Sequence, residues 1–129
     1  MPSLDTNVLL RLILQDQPKL VAQAKELLAK HDMFAVADVA ILEVIYVLGG
    51  YYEYTRQEIV GVINQLIRNQ HLNLNRPLFE RVLPLYAAHP TESISDCCLA
   101  TYAKLNNATP LYTFDNKFAR DVPPVDLVH

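Results

Sequence analysis

Four acidic side chains stand where this chain could do chemistry: Asp5, Glu43, Asp96 and Asp115. Asp5 closes a short apolar run at the start of the chain, and Asp115 closes a later one, Leu111 to Phe114. Asp96 opens a helix that follows a polar loop, and Glu43 falls one turn into the helix after the second expected strand. In open α/β sheets function gathers at the carboxyl ends of strands, so these four are expected to converge at one sheet edge. Converging carboxylates repel one another unless a cation neutralises them. An all-oxygen set suits a hard cation, Mg²⁺ or Mn²⁺. Such a site can activate water and stabilise charge on a phosphoryl group. Zinc fits less well, because His31, His71, His89 and His129 lack ligand spacing.

Each aspartate also has a bland reading. An Asp between a strand and a helix is by default an N-cap that accepts backbone N–H bonds. Glu43 resists that reading. It is the only charged residue between Ala40 and Leu48, and Val39, Tyr46 and Val47 share its helical face. A glutamate there is expected to be partly desolvated, which is costly unless a cation or a donor meets it. No Lys or Arg lies nearby in sequence to supply a simple salt bridge.

The elements that must position these residues follow from pattern. Met1 to Leu4 reads as a first strand and Asn7 to Leu14 as a short helix. From Pro18 to His31, Leu20, Val21, Ala24, Leu27 and Leu28 recur on one helical face, with Pro18 where a helix start tolerates it. Phe34 to Ala37 reads as a strand, with Asp38 capping a helix from Val39 to Leu48 that Gly49 and Gly50 end. Thr55 and Glu58 form a capping box for a helix to Asn69. His71 to Leu74 is a third strand, and Pro77 to Ala88 a helix that Pro84 should kink. Ser95 to Leu105 is helical, Asn116 to Arg120 is a helical turn, and Val125 to Val128 is a last strand. Strands alternating with helices predict an α/β fold, a three-layer α/β/α sandwich around a short, largely parallel central sheet.

The bulk numbers narrow the class. With 129 residues, about half of them apolar, the chain suits one domain, residues 1–129, with a real hydrophobic core. A net charge of −3 gives no global attraction for a polyanion, so any nucleic-acid contact must be local. The only cysteines, Cys97 and Cys98, are neighbours and are read as small apolar helix residues in a reducing compartment. No secretory signal is read at the start, and no stretch reaches the roughly 18 uncharged residues of a membrane span. The expectation is a soluble, cytoplasmic protein.

These residues together resemble the PIN-domain family, and in particular the VapC-type toxins of bacterial toxin–antitoxin pairs. Leu4-Asp5-Thr6-Asn7-Val8-Leu9 is similar to the family's opening signature, and Glu43 stands where it carries a helix glutamate. Ser95-Asp96 at the head of an Ala-rich helix resembles its third acidic position, and Thr113-Phe114-Asp115 its late T-x-D segment. The resemblance covers essentially the whole chain. It implies a PIN-like fold and Mg²⁺- or Mn²⁺-dependent endoribonuclease activity, with Asp5, Glu43, Asp96 and Asp115 as metal ligands or positioners of the attacking water. It also implies Thr6, Asn7, Thr113 and Asn116 as polar support, a homodimer, and a cognate antitoxin that silences it.

Family members often carry one more acidic residue three positions before the third carboxylate. Here that position is Ser93, and the adjacent Glu92 is expected to point elsewhere, so one cation is expected and a second is left open. Lys117, Arg120 and Arg11 are candidate RNA phosphate contacts, the first two because they follow Asp115 directly. Tyr51, Tyr52 and Tyr54 form an aromatic cluster suited either to packing or to an interface with a second subunit or an antitoxin. The alternative function is a non-catalytic PIN-like module that binds RNA or protein. A third reading, an acidic-site phosphatase or receiver-like domain, is disfavoured: a receiver needs an acidic partner beside Asp5 and a lysine better placed than Lys117.

Overall fold

The computed structural model describes residues 1–129. It holds seven helices and four short strands, and its contacts divide it into two compact units, Met1–Asn75 and Arg76–His129.

The first unit contains α1 (Thr6–Leu14), α2 (Pro18–Ala29), β1 (Phe34–Ala35), α3 (Asp38–Gly50), α4 (Arg56–Arg68) and β2 (Leu72–Asn73). β1 and β2 pair in parallel, Phe34 opposite Leu72 and Ala35 opposite Asn73. The expected first strand is reduced to a single parallel bridge, Ser3 to Ala35. Pro2 explains the reduction. Its carbonyl accepts from the Ala35 N–H at 2.8 Å, but it has no N–H with which to extend a ladder.

Hydrophobic spacing decides which faces turn inward. α3 buries Ala40, Ile41, Val44, Ile45 and Leu48, and α4 buries Ile59, Ile63 and Ile67 at four-residue intervals. Each such aliphatic side chain contributes about 1.5–3 kcal/mol when fully buried. Two expected boundaries move. α3 runs on through Gly49 and Gly50, and its N-cap is Ala37, not Asp38. Asp38 stands instead in the first turn, where a negative charge meets the positive end of the helix, and accepts from Asn75 Nδ2 at 3.1 Å. The capping box at Thr55 forms as the sequence predicts, Glu58 N–H donating to Thr55 Oγ1 and Thr55 N–H to Glu58 Oε1.

The second unit contains α5 (Arg76–Ala88), α6 (Ile94–Leu105), β3 (Leu111–Thr113), α7 (Asn116–Asp121) and β4 (Val125–Leu127). β3 and β4 pair in parallel, so every strand pairing in the protein is parallel, as the α/β reading requires. The strands form two two-stranded sheets, one in each unit. Ala100, Phe118, Val122 and Val125 make a core cluster against which Leu111 packs. Pro84 sits inside α5 without ending it. Its exposed position leaves the carbonyl of Glu80, also exposed, accessible to water in place of the missing helical donor. The two cysteines form no disulfide; Cys97 is buried and Cys98 half-buried.

The capping box lends itself to a direct test. Thr55→Ala should cost about 1 kcal/mol of stability in urea unfolding at neutral pH. The bond from the Thr55 backbone N–H, and then its hydroxyl, hold the Glu58 carboxyl below the usual carboxylate range. A depressed folded-state pKa gives stability that is present above the unfolded value and lost as pH falls through the folded one. Thr55→Ala should therefore flatten the acid limb of the stability profile as well as lower its plateau.

Candidate metal centre

Within the second unit, Glu92, Asp96 and Asp115 each offer a carboxylate oxygen, and these oxygens all lie within 4.8 Å of one another. The local structure explains how they meet. Ser93 is the N-cap of α6, and its hydroxyl accepts from the Asp96 N–H at 3.0 Å. The helix thus begins before the expected Ser95, and Asp96 is its third residue, relieved of capping. Asp115 caps α7, accepting from the N–H groups of Lys117 at 3.0 Å and Phe118 at 3.1 Å through Oδ1 alone. Its other oxygen takes no part in the cap.

Glu92 corrects the sequence reading, which had it pointing elsewhere. Its N–H donates to the carbonyl of His89 in the turn before α6, and it immediately precedes the Ser93 cap. A residue at that position folds back over the first helical turn, which is the geometry of the hydrophobic staple. Here a carboxylate makes the same return and reaches Asp96 and Asp115. Only 3% exposed, Glu92 is the one buried charged residue of the protein. The signal was present in the sequence: once Ser93 is recognised as the cap, the preceding side chain folds back over the first turn of α6, the turn that holds Asp96.

One cation of the chain already stands near this group. Lys117 Nζ lies 4.0 Å from Glu92 Oε1, with its side chain 42% exposed. At the 4.8 Å spacing, two unit charges repel by roughly 1 kcal/mol in water and about 3–4 kcal/mol at an effective dielectric of ~20. Lys117 at the edge and the more distant charge of Arg120, itself paired with Asp121, fall short of neutralising three carboxylates. The donor set is all oxygen and carries enough charge for a divalent ion, so it fits Mg²⁺ or Mn²⁺.

The first unit presents its own acidic pair. Asp5 caps α1, with Oδ1 accepting from the Val8 N–H at 3.0 Å. Thr6 Oγ1 donates to Glu43 Oε2 at 2.8 Å, tying α1 to α3. Asp5, Thr6, Asn7, Val39 and Glu43 line a cleft of about 570 Å³. Glu43 is exposed, contrary to the expected desolvation, because α3 turns the other side of its surface to the core. Its neighbours Val39 and Tyr46 are exposed with it. The donor that its position called for is the Thr6 hydroxyl.

The remaining expected site residues are placed variously. Thr113 Oγ1 accepts from the Asp115 backbone N–H at 3.1 Å, steadying the start of α7 and not the carboxylate itself. Asn116 is exposed at the first position of α7. Arg120 pairs with Asp121, Nε to Oδ1 at 3.0 Å, and that bond holds the guanidinium pKa above its ordinary value and the Asp121 pKa below. Arg11 is largely buried and paired with Asp16 at 3.0 Å, which makes it a structural cation and leaves Lys117 the better placed one.

The triad can be tested by calorimetric titration with Mn²⁺. Glu92→Gln, Asp96→Asn and Asp115→Asn should each weaken binding at least about tenfold. Asn still accepts backbone bonds at an N-cap, so Asp115→Asn should leave the unfolding midpoint almost unchanged. Wild-type affinity in all three variants would remove the triad as an ion site.

Comparison with known proteins supplies the family. No curated protein matches the chain. The PIN domain family matches residues 3–121, a span that takes in both acidic groups, and the protein belongs to the PIN-domain family.

Proposed function

We propose that this protein is a metal-dependent endoribonuclease, the toxin of a toxin–antitoxin pair, in which Asp5, Glu43, Asp96 and Asp115 serve one reaction with Glu92 as an added carboxylate. PIN domains are typically nucleases and bind nucleic acid, and the acidic triad of this chain, with Glu92 buried at its base, is the observation that carries the reading. Mg²⁺ or Mn²⁺, when bound, supplies stabilisation of negative charge on the phosphoryl oxygens. Glu92, Asp96 and Asp115 would hold the ion, Asp115 through the oxygen its cap leaves over. Asp5 and Glu43 orient the attacking water and take up its proton, with the Thr6 hydroxyl fixing the Glu43 rotamer. Lys117 and Arg120 draw in the phosphate backbone without reading sequence.

The partner assignments rest on surfaces. A groove of about 630 Å³ in the first unit, lined by Val8, Arg11, Leu20, Tyr51 and Tyr52 among others, supports an antitoxin segment docking there. Tyr51 and Tyr52 meet edge to face at 4.8 Å between ring centroids, and Tyr51 is exposed. The exposed Val39 and Tyr46 of α3 support a homodimer. No helix is long and apolar enough to cross a membrane. The free thiols of Cys97 and Cys98 suit a reducing, cytoplasmic site of action.

Cleavage of a labelled structured RNA in Mn²⁺ tests the reading. Asp5→Asn and Asp96→Asn should abolish it, as should excess chelator. Saturable RNA binding with no cleavage in either metal would instead identify a binding module. Thr6→Ala should lower kcat about ten- to a hundredfold with little change in KM, and Thr6→Ser should restore most of the rate. A rate unmoved by Thr6→Ala would remove the positioning role of this hydroxyl.

A further inference from the structure

Phe114 is 83% exposed, the most exposed of the large apolar side chains, and Tyr112 is 61% exposed. The strand explains the pairing. Successive side chains of β3 alternate sides, so Leu111 and Thr113 turn inward and Tyr112 outward, and Phe114 stands exposed in the bend just past the strand. Leu111 packs on the Ala100, Phe118, Val122 and Val125 cluster, which fixes which side is which. An aromatic ring left in water gives up the burial that its 150–250 Å² would otherwise provide. The position therefore calls for an occupant.

The surroundings of Phe114 say which occupant. It directly precedes Asp115, a member of the acidic triad, and consecutive Cα atoms are only ~3.8 Å apart. The Thr113 hydroxyl and the Asp115 cap hold the chain rigidly on both sides of it. Lys117, on the following turn, supplies a positive charge. An aromatic platform beside a phosphate-handling group and a cation is the pattern by which unstacked bases of single-stranded RNA are held. Tyr112 is less well suited to a polyanion, because its register partner on β4 is the exposed Asp126.

We infer that Phe114 is the platform on which a base flanking the cleaved phosphate stacks, so that this chain acts on unpaired RNA with little discrimination among bases at that position. The inference rests on the nuclease reading. Phe114 binds the substrate but takes no part in bond making. Stacking tolerates any base, because every base presents a π-face.

The test uses the full chain with a fluorescein-labelled single-stranded oligouridylate, Ca²⁺ replacing Mg²⁺ for binding and Mn²⁺ present for cleavage. Phe114→Leu keeps the apolar volume and removes the ring, and should weaken binding about five- to a hundredfold. Phe114→Trp should bind within about threefold of wild type. Because the natural chain has no tryptophan, the emission of F114W reports on that position alone, and it should be quenched when the oligonucleotide is added. A strand of abasic sugar-phosphates should bind wild type more weakly than oligouridylate, and Phe114→Leu should erase most of that difference.

The outcomes separate cleanly. Equal binding and cleavage by wild type and Phe114→Leu would overturn the platform while leaving the nuclease reading intact. Ring-dependent binding without cleavage in Mn²⁺ would overturn the nuclease reading and with it the placement beside a cleaved phosphate, leaving Phe114 a stacking residue of a binding module. Loss of a dimer in Phe114→Leu, seen by sedimentation with RNA affinity unchanged, would assign the ring to a subunit interface and overturn the platform. An oligonucleotide that binds neither protein would overturn both.

Discussion

The mutual repulsion of three carboxylates is the constraint on which the chemistry of this fold depends. Glu92, Asp96 and Asp115 bring their oxygens within 4.8 Å of one another, and one of them is buried. Nothing in the side chains themselves favours that approach. Backbone geometry imposes it: the Ser93 cap sets the start of α6, and the Asp115 cap sets the start of α7. Both acidic helix positions also lie in a first turn or at its cap, where the positive end of the helix offsets part of the charge. Lys117 at the edge offsets a further part, and the charge still left over is what would draw an ion to the group.

The fold supplies this rigidity with modest means. The strands are only two or three residues long, and their pairings are few. Buried helix faces do most of the holding, through residues such as Val44, Ile63, Phe79 and Val82, all essentially inaccessible to solvent. Their apolar spacing is regular enough to fix each helix by sequence alone. Short strands are enough when their only task is to end at a chosen residue.

That division explains what the sequence disclosed. The helices were legible because a period of 3.6 leaves a strong mark over a dozen residues, and the Thr55–Glu58 box was legible because both partners are local. Asp5 and Asp115 were correctly suspected as caps, and the structure makes them caps that keep an oxygen in reserve. Glu43 was singled out for a desolvation it does not have. A single helix pattern reveals which face is apolar but not whether that face is covered, and here Val39 and Tyr46 stay in water. Glu92 was missed for a different reason. Its direction depends on which residue caps α6, a choice between Ser93 and Ser95 that apolar periodicity cannot make.

Caps with a spare oxygen carry a consequence for descent. At Asp5 and Asp115 one side chain starts a helix with Oδ1 and leaves Oδ2 over. Replacement by Ala or Leu would remove the cap together with the charge, at about 1 kcal/mol per helix. Replacement by Asn or Ser would remove only the charge. A lineage that lost the chemistry and kept the fold would therefore drift first to Asn or Ser at positions 5 and 115. At position 96, where Ser93 does the capping, it would be free to accept almost any small residue. The pattern of decay in such relatives would itself record which acids had held up the architecture.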